Sequence, residues 1–85
     1  MPDMINVVVK LFGPAADAVG HDTLEYGLTP QAMLGSLIAL LYAKYPRLAA
    51  GAGSMRFAIN GEYTDLNAVL ADGDEIAIIP PVAGG

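Results

Sequence analysis

The residues of this chain best placed to do chemistry stand at its end, Gly84 and Gly85. Neither carries a Cβ, so their peptide units can enter a narrow channel and take backbone angles closed to other residues. The one reactive group beyond them is the α-carboxylate of Gly85. Its reference pKa of about 3.3–3.7 leaves it ionised at neutral pH. A carboxylate is a poor electrophile, so this group becomes useful only after another molecule activates it. Nothing else in the chain competes as a reactive centre. The absence of cysteine excludes a disulfide scaffold, a thiolate nucleophile, a cysteine zinc site and an iron–sulfur cluster. One histidine, His21, does not make a histidine metal site, and no metal is expected. No nucleophile–base pair for covalent or acid–base catalysis is offered.

The positioning elements must come from one small domain, because the chain has 85 residues. A hydrophobic fraction of 54% against 15% charged residues places it among folded chains rather than disordered ones. Its apolar runs last only a few residues, far short of the ~20 that span a bilayer. Asp3 and no basic cluster precede the first apolar run, so no secretory signal is expected and a cytoplasmic location is. The net charge is −5, and Lys10, Lys44, Arg47 and Arg56 are scattered. Such a chain lacks the basic footprint that neutralises phosphates, so nucleic acid is not an expected partner. The acidic balance suits solubility and a basic partner surface.

Ile5 to Phe12 reads as a strand with Ile5, Val7, Val9 and Leu11 on one face, stopped by Gly13-Pro14. Ala15 to Val19 is a short loop or helical turn closed by Gly20, and Thr23 to Leu28 is a second strand. Thr29-Pro30 offers an N-cap and a first-position proline. Met33, Leu34, Leu37, Ile38, Leu41 and Tyr45 then recur at helical spacing, which predicts one amphipathic helix ending before Pro46, with Met33, Leu37 and Leu41 in the core. Gly35 weakens that helix by about 1 kcal/mol relative to alanine, which suggests close packing there. Leu48 to Ser54 reads as a loop. Met55 to Ile59 and Glu62 to Thr64 flank Asn60-Gly61, a hairpin signal. Leu66, Val69 and Leu70 are expected to pack from a short turn, Asp72-Gly73 is a tight turn, and Glu75 to Ile79 is the last strand. Pro80-Pro81 ends the sheet. One helix over a mixed sheet is an α+β arrangement, with the first and last strands parallel neighbours at the centre.

Three stretches give this order a resemblance. Val8-Val9-Lys10-Leu11-Phe12 with its alanine-rich turn, Ala58-Ile59-Asn60-Gly61-Glu62-Tyr63, and the whole ending from Leu70 to Gly85 resemble the ubiquitin-like (β-grasp) sulfur carriers. The closest likeness is to the MoaD-like small subunits of molybdopterin synthase. Members often carry an Arg-Glu pair after the first strand, where this chain has Ala15-Ala16-Asp17-Ala18. The resemblance implies a β-grasp domain over residues 1–81 and a reactive tail over residues 82–85. It implies that a MoeB-like adenylating enzyme uses ATP to turn the Gly85 carboxylate into an acyl-adenylate. A persulfide donor then displaces AMP and leaves a terminal thiocarboxylate. A MoaE-like large subunit would receive the sulfur on a cyclic pyranopterin phosphate. No cofactor is held permanently.

Tail and face divide the work in this reading. Val82 to Gly85 reaches about 13–14 Å at ~3.3–3.6 Å per residue. Pro80 and Pro81 hold the base of that arm extended, and Val82, Ala83 and Gly84 follow it into the channel. Strand alternation turns Val8, Lys10 and Phe12 away from the helix. Val8 and Phe12, with Ala58, Ala77 and Ile79, then form an apolar patch on the open face of the sheet as a partner interface. Arg56 is either a simple exposed charge or paired with Glu62 or a partner acid; Asp72, Asp74 and Glu75 are a solvated turn, a cation-binding cluster or a charge that steers a basic partner. Three functions remain open at this point. They are a sulfur carrier (for molybdopterin, or for thiamine, cysteine or another metabolite), a ubiquitin-like modifier of lysines, and a passive interaction module.

Overall fold

The computed structural model describes residues 4–50 and 55–80. Its elements are β1 (Ile5–Leu11), α1 (Gly13–Val19), β2 (Thr23–Leu28), α2 (Leu34–Lys44), α3 (Pro46–Ala49), β3 (Arg56–Ile59), β4 (Glu62–Thr64) and β5 (Glu75–Ile79). The strands form one five-stranded sheet in the order β2-β1-β5-β3-β4. β1 and β5 run parallel, paired from Val8–Glu75 to Leu11–Ile78. β2 lies antiparallel on the other side of β1, and the β3–β4 hairpin lies antiparallel on the other side of β5.

Alternation explains which side of the sheet is covered. Val7, Val9 and Leu11 of β1 and Ile76 and Ile78 of β5 are buried, and all join one core with Leu34, Leu37, Ile38 and Leu41 of α2. Each such aliphatic side chain contributes about 1.5–3 kcal/mol by leaving water. No polar or charged residue is fully buried among the described residues; the one buried polar atom without a partner among them is the Tyr42 hydroxyl, on a ring packed against the core. The register of the central pair is pinned from outside the core. Val8 N donates to Asp74 O at 3.0 Å, Gly73 N to Asn6 O at 2.7 Å, and Asn6 N to Asp72 Oδ1 at 2.7 Å. Asp74 accepts from Asn60 Nδ2 at 2.9 Å and from Ala71 N at 2.8 Å, tying the β3–β4 turn to β5. Asp72 and Asp74 are thus structural acceptors, more than a solvated turn. The two-residue turn itself has φ of 52° at Asn60 and 86° at Gly61, the positive angles that a tight hairpin of this hand needs.

The principal helix departs from the sequence reading at its start. α2 begins at Leu34, not at Thr29-Pro30. Gln31 has φ 70°, outside the helical range, so the helix cannot run through it. Its first free amides find tertiary acceptors instead of a side-chain cap: Leu34 N donates to Ala68 O at 2.8 Å and Gly35 N to Leu66 O at 2.9 Å. Met33 consequently lies outside the helix, bridged to Val69 and 39% exposed, rather than in the core. Leu66 and Val69 are also exposed; Leu70 is buried in the core and Ala68 packs against it. The close approach expected at Gly35 is present: a Cβ there would stand 3.2 Å from Leu66 O. Beyond α2, Pro46 opens the short helix α3, which buries Leu48 in a stretch that composition marks as loop.

Candidate functional site

The face of the sheet opposite α2 is read directly from the pairing. One row crosses all five strands as Thr23, Lys10, Ala77, Ala58 and Tyr63. A neighbouring row holds Glu25, Val8 and Glu75. On the other side of the first row, Ile79 pairs with Arg56. Phe12 lies one residue past the Leu11–Ile78 pair, as Ile79 does, so both sit at the same end of the face. Phe12 keeps extended backbone angles (φ −128°, ψ 147°) as the cap of α1 and is 51% exposed. Val8, Ala77 and Ile79 are half-buried on this side.

The face is more sculpted than a flat apolar patch. Ala58 occupies the expected side but is only 5% exposed, which corrects its place as contact surface. Its methyl lies in the row between Ala77 and the much longer Tyr63, so its neighbours overshadow it. The two alanines stand between Lys10 and Tyr63 in that row.

Tyr63 is the residue that sequence reasoning missed here: it is 66% exposed, more than Phe12. Carrying the Asn60-Gly61 hairpin register one step outward places it beside Ala58, so the signal was present. Arg56 lies with its guanidinium 5.6 Å from the Tyr63 ring centroid, rather than paired with Glu62. Such a stack at an exposed site contributes about 0.5–1 kcal/mol and holds an aromatic ring and a positive charge together.

The chain leaves this same end of the face. Pro80 follows β5 directly and is half-buried, and it lies near Gly13, where an added Cβ would stand 3.8 Å from Pro80 Cγ. Exit point, Phe12 and Ile79 are therefore neighbours. Pro81, Val82, Ala83, Gly84 and Gly85, expected to form the inserting tail and its reactive terminus, lie outside the described residues. Among the described residues no group of three potential metal ligands occurs, and no helix is long and apolar enough to cross a membrane.

A five-stranded mixed sheet grasping one main helix, with its last strand central and parallel to its first, is the ubiquitin-like β-grasp fold. Within that class the chain belongs to the ThiS family, whose profile matches residues 9–85. It is 39% identical to the molybdopterin synthase sulfur carrier subunit of Mycobacterium tuberculosis, over 96% of this chain and 100% of that protein. Among solved structures it resembles SAMP1 from Haloferax volcanii, with a TM-score of 0.83 and 30% identity over 94% of this chain and 99% of that one. It also resembles a chain in the protein–protein complex of subunits 1 and 2 of molybdopterin-converting factor from Helicobacter pylori. There the TM-score is 0.70 and the identity 32%, over 95% of this chain and 100% of that one.

Proposed function

We propose that this chain is a sulfur carrier that delivers sulfur from Gly85 to a molybdopterin precursor, docked on a larger synthase subunit. The observation that carries the proposal is the convergence of exit point and open face. Pro80 emerges beside Phe12 and Ile79, so a partner covering the face stands within reach of whatever follows Pro80. Family membership and the names of the relatives support the same reading.

The chemistry divides between chain and partners. The Gly85 carboxylate oxygen attacks the α-phosphorus of ATP in an adenylating enzyme, and pyrophosphate leaves. The terminal sulfur of a persulfide then attacks the acyl carbon and AMP departs, which gives an acyl disulfide. A second thiol cleaves its S–S bond and frees the thiocarboxylate, whose sulfur is a far stronger nucleophile than the carboxylate oxygen it replaced. The chain contributes the acyl group, a side-chain-free approach through Gly84 and Gly85, and the docking face. General acids and bases come from the partners.

The test is transfer to acceptor. Thiocarboxylated chain, at two equivalents per pterin because each terminus carries one sulfur, mixed with a large synthase subunit and cyclic pyranopterin phosphate is expected to yield the dithiolene product. The relative named small archaeal modifier protein 1 favours one rival, a chain whose activated glycine forms isopeptide bonds with lysines. Conjugates in cells, with no dithiolene formed in the reconstituted reaction, would decide for that rival.

A further inference from the structure

We infer that Gly13 is a positioning residue: its left-handed backbone makes the seat on which Pro80 rests and thereby sets the direction in which the chain leaves the sheet. The consequence for sulfur transfer rests on the carrier reading; the seat itself does not.

Three observations meet at this point. Gly13 has φ +52°, a conformation that L side chains rarely adopt. It joins β1 to α1 directly, with Phe12 before it and Pro14 after it, and Ala15 N closes the turn on Phe12 O at 3.1 Å. Among the described residues outside its own turn, a Cβ built on Gly13 would have one heavy atom within 4 Å, Pro80 Cγ at 3.8 Å. The turn after the first strand and the end of the last strand therefore lie side by side at the final described residue.

Pro80 has no amide hydrogen and cannot extend the β5 ladder, so hydrogen bonding does not fix its direction. Packing is left to set it, and the Gly13 turn is a neighbour that the structure places beside the ring. A Cβ at 3.8 Å is an ordinary contact, so space does not exclude alanine at Gly13. Backbone angle does: an L-alanine relieves its strain by turning φ negative, which redirects the turn relative to β1 and withdraws the seat. Asparagine tolerates the left-handed region and keeps the turn. The residue is therefore read as setting direction, while Phe12 beside it supplies contact.

The experiment compares Gly13→Ala, Gly13→Asn and Pro80→Ala with the parent chain. The parent contains no cysteine, so Ser36→Cys, at an exposed position of α2, and Ala83→Cys, three residues after Pro80 in sequence, take spin labels cleanly. Pulsed electron paramagnetic resonance then gives the distance distribution between them. Gly13→Asn is expected to match the parent, whereas Gly13→Ala and Pro80→Ala shift or broaden the distribution. In unlabelled, thiocarboxylated chains, Gly13→Ala and Pro80→Ala are expected to slow single-turnover transfer at saturating large subunit by on the order of tenfold to a hundredfold, with affinity unchanged. Pro80→Ala removes only a ring at the end of the described chain, so it carries the test if Gly13→Ala folds poorly. Parent-like distances in Pro80→Ala overturn the inference, as does full-speed transfer by that variant. If the parent itself never takes up sulfur, the carrier reading falls, and the distances still decide whether the seat exists.

Discussion

Replacing Phe12 by alanine tests whether the open face is the docking surface. The residue is 51% exposed. A buried aromatic side chain removes about 150–250 Å² from water, so on the order of 100 Å² of Phe12 remains for a partner to cover. At ~25 cal/mol per Å² that area corresponds to about 2.5 kcal/mol. Imperfect fit and the ordering of neighbouring side chains reduce the net effect to about 1–2 kcal/mol. Phe12→Ala should therefore raise Kd for the large subunit roughly 5- to 30-fold. The fold should be little affected, because Phe12 is outside the core and caps α1 through its backbone. The comparison is Leu40→Ala, which removes an apolar side chain of similar exposure (54%) from α2, on the other side of the sheet. Isothermal titration of both variants, with thermal melts alongside, separates contact from general hydrophobicity. Unchanged affinity in Phe12→Ala together with weaker binding in Leu40→Ala would refute this placement of the interface.

Gly35→Ala should lower stability by about 1 kcal/mol although alanine is the better helix former. Its Cβ would meet Leu66 O at 3.2 Å, and that carbonyl is held in place by the Gly35 amide itself; a raised urea midpoint would contradict this. Tyr42→Phe should stabilise the fold by about 1 kcal/mol at neutral pH, because the Tyr42 hydroxyl is buried with no hydrogen-bond partner among the described residues. Burial also raises its pKa. The unfolded chain therefore ionises first as pH passes about 10, and stability that is complete below that pH is lost above it. The advantage of Tyr42→Phe should widen in alkaline urea titrations; a constant or inverted difference would refute the assignment. Deleting Gly84 and Gly85 should abolish sulfur loading while leaving the circular dichroism melt and most of the affinity intact, and normal transfer by the shortened chain would contradict the mechanism.

What could be read from the residues depended on whether local pattern or distant contact made the decision. β1 and β5 were legible because a central strand buried on the helix side shows as alternation in Val7, Val9 and Leu11 and again in Ile76 and Ile78. The Asn60-Gly61 turn was legible because the tight hairpin demands those residue types. The start of α2 was not. Thr29-Pro30 has the local chemistry of a cap, but carbonyls of Leu66 and Ala68, more than thirty positions along the chain, satisfy the helix amides instead. The same contacts explain why Met33 lies outside the helix. At the site, Val8, Ala77, Ile79 and Phe12 fell on the open face by alternation, whereas the shading of Ala58 depends on which strand lies beside β3. The proximity of Gly13 and Pro80 brings together the ends of two strands that neighbour each other only in the folded sheet, so no local pattern announces it.

The central claim is that Gly85 carries sulfur, and intact mass measurement tests it most directly. The chain is incubated with ATP, its cognate adenylating enzyme and a persulfide donor, then weighed, with a known carrier treated in parallel. A mass increase equal to replacement of one oxygen by sulfur is predicted, located by fragmentation at Gly85 and absent when ATP is withheld. An unchanged mass, while the known carrier reacts, would contradict it.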